Sequence, residues 1–163
     1  MPILKHGKVI ADDWQNLADN DTLPEDSKVI VSLARWQAER DQLINAETPL
    51  GLRITGEVDV SEIAADLDHF DLLAVSFPGI ADGRGYSQAR LLRQRFGFTG
   101  ELRATGPLVR DVFAALERVG FDAVEARDQD EADAWSVAVG RITVRLQQDI
   151  AVPEVSSFQT AAE

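Results

Sequence analysis

The chain has 163 residues, 45% of them hydrophobic, which is the length and apolar content of one domain with a sizeable core. It contains no cysteine, which excludes disulfides, a cysteine nucleophile, thiolate-bound zinc and any iron–sulfur cluster held by this chain through cysteine. A formal net charge of −12 disfavours nucleic acid and anionic membranes as partners, because phosphate-rich surfaces repel a protein of this sign.

The first 27 residues predict a small appendage to the main fold. The stretch PILKHGKVIADDW alternates apolar and polar residues on both sides of His6 and Gly7, which is typical of a β-hairpin. The acidic, turn-rich stretch QNLADNDTLPED that follows predicts a loop. We therefore expect residues 1–27 to form a hairpin and a loop that lead into the main domain.

Strands and helices alternate from residue 28 to residue 148. The run LLAVSFP is the most hydrophobic strand candidate, so we expect it at the centre of the sheet. Residues 149–163 have little periodicity and predict an arm or a disordered tail. Five runs predict strands, at 28–33, 51–56, 72–78, 101–106 and 121–126. Apolar residues at helical spacing predict helices at 34–46, 61–70 with Ser61 as N-cap, 86–96, 107–120 and 131–148.

This alternation predicts a single α/β domain at 28–148, with a mainly parallel sheet of about five strands and flanking helices. An open doubly wound sheet is the simplest arrangement, and a half-barrel is the alternative. In a parallel α/β sheet, ligands bind beyond the carboxyl ends of the strands. That rule selects four loops, at residues 32–35, 76–84, 105–106 and 125–127.

Positive charge is concentrated in one stretch of this acidic chain. Residues 84–110 contain six arginines and one acidic residue, so they carry +5 while the remainder carries −17. Thirteen of the sixteen basic residues are arginines, which suit fixed bidentate contact with carboxylates and oxyanions. The stretch therefore predicts a site for a small oxyanion or for an acidic partner.

The longest strand-end loop, SFPGIADGR, leads directly into this basic stretch. Its glycines, together with Gly85, either let a ligand approach the main chain or only turn a long loop. Ser87 is a candidate N-cap for the next helix, whose free N–H groups and dipole would favour an anion beside Arg84. Arg84 is therefore one of the two strongest candidates for contact with an anion.

The helix itself predicts a division among its arginines. Ser87, Arg90 and Gln94 follow at helical spacing and share one face, which makes Arg90 the second strong anion-contact candidate. Arg93 and Arg95 point elsewhere and are predicted to be solvent or interface charges.

Arg103 is the third arginine of interest, because it lies inside the predicted strand ELRATG. It alternates to the same face as Thr105, near the carboxyl end of the strand. An arginine that is half-buried there needs a partner. The partner is either a ligand oxyanion or an internal carboxylate, Asp82 or Asp111, and the ion pair is slightly favoured.

Established catalytic motifs are sparse. The stretch GRG is not a dinucleotide fingerprint, because Gln88 stands where the last glycine is required. The only two histidines, His6 and His69, lie far apart, which argues against a catalytic triad and against a histidine metal site. No apolar run is long enough to span a membrane and no signal peptide is evident, so we expect a cytoplasmic protein.

The string DGRGYSQARLLRQRFGFTGELRATG, with VIVSLARW upstream and LVRDVFAALERVGFDAVEA downstream, resembles a bacterial family of unknown function. Members of that family are commonly encoded beside sulfite reductase and carry the label "probable oxidoreductase involved in sulfite reduction". The resemblance implies a role in assimilatory sulfur metabolism and names no catalytic residue. The family signature includes the ligand-site candidates Asp82, Gly83, Arg84, Tyr86, Ser87, Arg90, Arg103 and Thr105.

Two functional hypotheses follow. The first is an accessory protein of sulfite reduction that uses residues 84–110 to bind a small oxyanion or an acidic partner, with sulfite reductase as the candidate partner. The second is an oxidoreductase or electron-delivery component that holds a flavin or nicotinamide nucleotide at the strand ends, with its phosphate at the helix start. A yellow colour or a flavin absorbance spectrum of the purified protein would support the second.

Overall fold

One mixed sheet of eight strands organises the computed structural model, which describes residues 1–79 and 82–139. The order of the strands in space is β2-β1-β8-β7-β6-β5-β4-β3. Strands β3 to β8 are parallel to one another, and β1 is antiparallel to both of its neighbours. The strands are β1 (Ile3–Lys5), β2 (Lys8–Ile10), β3 (Trp14–Asn16), β4 (Lys28–Ser32), β5 (Leu50–Thr55), β6 (Leu72–Ser76), β7 (Glu101–Thr105) and β8 (Ala123–Glu125).

Helical segments lie between the parallel strands and after the last one. They are α1 (Leu33–Asn45), α2 (Arg84–Gln94), α3 (Phe113–Arg118) and α4 (Gln129–Val139), with 3₁₀ turns at Ala64–His69 and Arg110–Val112. The helix expected from Ser61 forms only as the first of these 3₁₀ turns, because the hydroxyl and N–H of Ser61 both donate to Asp59. The helix expected from Pro107 begins later, with the second 3₁₀ turn. Predictions for residues 140–148 and for the tail at 149–163 lie outside the described residues.

The predicted five-strand, mainly parallel sheet is wrong, because the N-terminal residues add three further strands. The turn at His6 and Gly7 has φ of 49° and 74°, the left-handed geometry of a two-residue hairpin turn, which confirms the predicted hairpin. Its first strand, with Ile3 and Leu4 fully buried, pairs with β8. The hairpin is therefore part of the sheet.

The sheet is curled, as the half-barrel alternative predicted, and the doubly wound arrangement is wrong. Consecutive parallel strands are neighbours throughout, so the strand order never reverses as a doubly wound sheet requires. Strands β2 and β3 form the two edges of the sheet, yet only residues 11–13 separate them. Three linking residues span at most about 14 Å, whereas the edges of a flat eight-stranded sheet would lie about 34 Å apart.

The two faces of the sheet carry different side chains. The main core lies between the helices and one face of the sheet. It includes Val31, Leu52 and Val75 from the strands, and Trp36, Leu92 and Leu116 from the helices. On the opposite face, which we call the inner face, a small cluster of Ile30, Leu72 and Ala74 packs with Trp14. Arg53, Arg103 and the residues that alternate with the core positions of each strand share this inner face.

Candidate functional site

Helix α2 begins at Arg84, so the prediction that Ser87 caps it is wrong. Asp82 accounts for the difference, because its Oδ1 accepts the backbone N–H of Arg84 at 3.0 Å, and the helix begins four residues before a helix capped by Ser87 would. Ser87 instead lies in the exposed first turn of the helix. The N–H of Arg84, at the start of the helix, therefore donates to a carboxylate of the chain itself and is not free for an external anion.

The Arg84 side chain is held by two carboxylates. Its Nε and Nη2 donate to Asp82 at 3.0 and 2.7 Å, and its Nη1 donates to Glu57 at 3.2 Å. The guanidinium lowers the pKa of Asp82 to about 2, so this carboxylate is ionised at neutral pH. Arg84 is thus internally neutralised, and its contact with an external anion stays a prediction.

Arg93 is buried, so its prediction as a solvent or interface charge is wrong. Its Nη2 donates to Asp122 at 2.5 Å, and the other guanidinium nitrogens donate to backbone carbonyls. Burial lowers the pKa of Arg93, which the carboxylate of Asp122 opposes. These carbonyls belong to Phe98, Gly100 and Gly120. The Arg93 side chain therefore connects the segment that follows α2 with the segment that follows α3.

Arg103 forms the internal ion pair that the sequence favoured, but with other partners than Asp82 or Asp111. Its Nη1 lies 2.9 Å from Asp12 and its Nη2 lies 2.8 Å from Glu101. Asp12 was missed because it reaches the inner face only through the curling of the sheet. Glu101 lies two residues before Arg103 on the same strand, so the alternation of the strand was a signal that could have found it. Thr105 lies half-buried two residues further on the same face, as predicted.

Two of the six arginines in the basic stretch have no carboxylate within 4 Å among residues 1–79 and 82–139. The four others, Arg84, Arg93, Arg103 and Arg110, each form an ion pair with a carboxylate of the chain. The partner of Arg110 is Asp111, at 3.4 Å. Arg90 donates to the amide oxygen of Gln94 at 3.1 Å. Arg95 lies 5.6 Å from the ring of Phe96, and its charge contributes to the lowered pKa of Asp59.

Both of these arginines line one open groove on the outer side of α2. Its volume is about 580 Å³, and it is lined by Ser87, Arg90, Leu91, Gln94 and Arg95. The shared face of Ser87, Arg90 and Gln94 is therefore confirmed, whereas Arg95 was wrongly placed elsewhere. Arg95 follows Leu91 by four residues, and that spacing was the signal that could have found it. We call this feature the α2 groove.

The remaining site candidates, Gly83 and Tyr86, lie at the start of α2. Tyr86 meets the ring of Phe77 edge-on at 5.5 Å, and burial raises the pKa of its hydroxyl. Beyond the neighbours of Gly83 in the chain, no described residue has an atom within 4 Å of the place where its Cβ would lie. At Gly85, however, a Cβ would lie 2.5 Å from the ring of Phe77, so this glycine permits a close approach.

The α2 groove offers the chemistry of binding. It combines two guanidinium groups, a hydroxyl, an amide and the side chain of Leu91, which is 40% exposed. Within the part of the chain that the structure describes, no group of three His, Asp or Glu side chains could hold a metal ion. No helix among the same residues is long and apolar enough to cross a membrane.

Comparison with known proteins gives one match. The model of a family described as "Bacterial protein of unknown function (DUF934)" matches residues 51–156, a range that contains the whole α2 groove. No curated protein and no solved structure matches the chain.

Proposed function

Since the chain belongs to this bacterial family of unknown function, we propose that it is an accessory docking protein of assimilatory sulfite reduction. Its α2 groove binds an acidic surface of a partner protein, and the partner is sulfite reductase. The link to sulfite reduction rests on the family resemblance of the DGRGYSQARLLR string. The docking mode rests on the arginines of α2.

The observation that carries the docking mode is that, among residues 1–79 and 82–139, no carboxylate lies within 4 Å of two neighbouring arginines, Arg90 and Arg95. Arg84, Arg93 and Arg103 each lie within 3 Å of a carboxylate of the chain, so their positive charge is largely cancelled. Arg90 and Arg95 keep theirs, and both line the same groove. The surplus charge of the basic stretch is therefore exposed at this one surface.

The openness of the α2 groove favours a protein surface over a small ion as its occupant. Exposed charges bind small ions weakly, because water and dissolved salt screen the attraction. A protein surface can also cover Leu91 and so add the burial of apolar area to the ion pairs. Arginine beside an exposed apolar side chain is a combination enriched at the centres of protein interfaces.

The charge of the rest of the chain orients such a complex. The sequence outside residues 84–110 carries −17, so an acidic partner is repelled by most other surfaces. Complementary charge at one place and repulsion elsewhere increase the association rate and fix the docking orientation.

The test is a binding titration between the purified full chain and purified sulfite reductase of the same organism. The double variant R90E/R95E should weaken binding by about tenfold or more, since it reverses both unneutralised charges. Binding of the unchanged protein should also weaken steeply as salt is added.

The matched control is R110E, which reverses an arginine that is 61% exposed and lies outside the groove. It should bind sulfite reductase about as well as the unchanged chain. Absence of binding by the unchanged chain, or equal loss in R110E and R90E/R95E, contradicts the proposal.

A further inference from the structure

Three hydroxyl side chains lie at the carboxyl ends of neighbouring parallel strands, on the inner face of the sheet. Thr55 pairs in register with Ser76, and Ser76 pairs with Thr105. Neighbouring strands are about 4.8 Å apart, so the three positions form a row about 10 Å long. Ser76 and Thr105 are half-buried and Thr55 is exposed, so this row is open to solvent at one end.

Arg53 lies on the same face, one step below this row. It stands between Ser32 of β4 and Ala74 of β6 in the register of the sheet, and it is half-buried. Its Nη2 donates to the side-chain oxygen of Asn16. Among the described residues no carboxylate lies within 4 Å of its guanidinium, which leaves donors of the planar fork available.

Arg103 can be compared directly with Arg53, because the two arginines pair in register with Ala74 from opposite sides. The chain neutralises Arg103 with Asp12 and Glu101. Arg53 donates to the neutral amide oxygen of Asn16, and no carboxylate of the described residues is within 4 Å of it. A half-buried cation without a counter-charge is unfavourable, so an anion from solution stabilises this position.

The nearby carboxylates restrict where such an anion fits. Asp19 already accepts the hydroxyl of Ser32 at 2.6 Å. Asp82 lies beside Gly56 at the end of β5, but its carboxylate is neutralised by Arg84 at 2.7 Å. Glu125 ends β8, three strands away from β5. The anion therefore lies over the ends of β5 and β6, beside Thr55 and Ser76 and away from Glu125.

We propose that Arg53, Thr55 and Ser76 form a binding site for a small oxyanion at the carboxyl ends of the strands. The fork of Arg53 supplies two parallel donors to the oxyanion, and the hydroxyls supply further ones. The oxyanion is a free ion, such as sulfite or phosphate, or the phosphate group of a nucleotide. This site is separate from the α2 groove and does not depend on docking to a partner.

The test uses calorimetric titration and thermal unfolding of the full chain at constant ionic strength. Sulfite, inorganic phosphate and flavin mononucleotide are the three probes. At least one of them should bind and raise the melting temperature, because a ligand of the native state stabilises it. R53Q should weaken that binding by about tenfold or more, and S76A by a smaller factor.

The control is R90Q, which removes an unneutralised arginine outside the site and should bind the probe like the unchanged chain. If flavin mononucleotide binds more tightly than phosphate and R53Q no longer binds it, the result supports the site with a nucleotide as its ligand. Equal binding by R53Q and the unchanged chain overturns the proposal, as does a response to none of the probes. If circular dichroism shows that R53Q is unfolded, the binding of the probe by S76A and T55A tests the proposal in its place. Binding that neither substitution weakens overturns the proposal.

Discussion

The guanidinium of Arg103 donates to the carboxylate of Asp12 at 2.9 Å, although the two residues are 91 positions apart. Asp12 belongs to the link at residues 11–13 that joins the two edges of the sheet. Both side chains are less than one-tenth exposed. The pair therefore fixes the link against the inner face and holds the sheet in its curled form.

Loss of this pair should destabilise the fold. In R103M, the carboxylates of Asp12 and Glu101 lose their shared partner while they remain largely buried. Breaking a buried ion pair in this way costs about 3–5 kcal/mol. Urea unfolding followed by circular dichroism measures the change.

The control for this prediction is R110Q, because Arg110 is exposed and forms its ion pair with the adjacent Asp111 at the surface. Its free energy of unfolding should stay within about 0.5 kcal/mol of the unchanged chain. A loss in R103M as small as that in R110Q would show that the link is held by other contacts.

Local sequence patterns were sufficient to predict the strands of the parallel region but not the curled sheet. Each of the five predicted strands overlaps an observed one, because β-branched runs between helical segments are a local signal. The central position of β6 was also predicted correctly from its hydrophobicity. Strand β3, with the sequence WQN, was missed because three mostly polar residues carry no strand signal of their own.

The candidate site was predicted in part for the same reason. Helical spacing placed Ser87, Arg90 and Gln94 on one face, and the structure confirms it. Whether an arginine is neutralised depends on carboxylates distant in sequence, such as Asp122 for Arg93. A charge count along the chain cannot detect these pairs, so it overestimated the exposed positive charge of residues 84–110.

Acid should weaken the fold through Glu101. Burial alone would raise the pKa of this carboxyl, but the hydrogen bonds and charges of Lys5 and Arg103 outweigh it and hold the pKa below its usual value of 4.5. The unfolded chain therefore binds this proton more readily than the native one. The stabilisation by ionised Glu101 is complete above about pH 4.5 and is lost as the pH falls through the lower native pKa.

The variant E101Q isolates this contribution. It should be less stable than the unchanged chain at neutral pH, and the difference should shrink as the pH falls below about 4. Urea midpoints of both proteins, measured across this range, provide the comparison. A difference that stays constant with pH would show that the protonation of Glu101 is not linked to folding.

Arg93 and Arg95, two residues apart at the end of α2, should differ strongly in how much stability the same substitution costs. In R93M, Asp122 and three backbone carbonyls lose a buried donor, so we expect a loss of about 3 kcal/mol or more. In R95M, an exposed side chain of the α2 groove is removed, and stability should change by less than about 0.5 kcal/mol. Thermal and urea unfolding measure both, and similar losses would contradict the assignment of Arg93 to the interior.

Gly85, in the first turn of α2, and Gly79, in the loop before it, should differ in their tolerance of alanine because their surroundings differ. A Cβ at Gly85 would lie 2.5 and 2.7 Å from two ring atoms of Phe77, so G85A must displace a buried ring. Such overpacking costs about 1–3 kcal/mol. At Gly79, no described residue other than its neighbours in the chain has an atom within 4 Å of the Cβ position. G79A should therefore leave the free energy of unfolding unchanged or raise it by a few tenths of a kcal/mol, about the entropy effect of alanine in the unfolded chain.

Urea unfolding of G85A and G79A tests this difference directly. If G85A is destabilised and G79A is not, Gly85 is required for the contact between α2 and Phe77, and the sequence-based alternative of ligand approach is unnecessary to explain it. Equal destabilisation would instead show that the restriction of the backbone, which both substitutions cause, determines the cost, and not the contact with Phe77. A G79A variant of normal stability that loses oxyanion binding would point to a ligand close to the loop backbone.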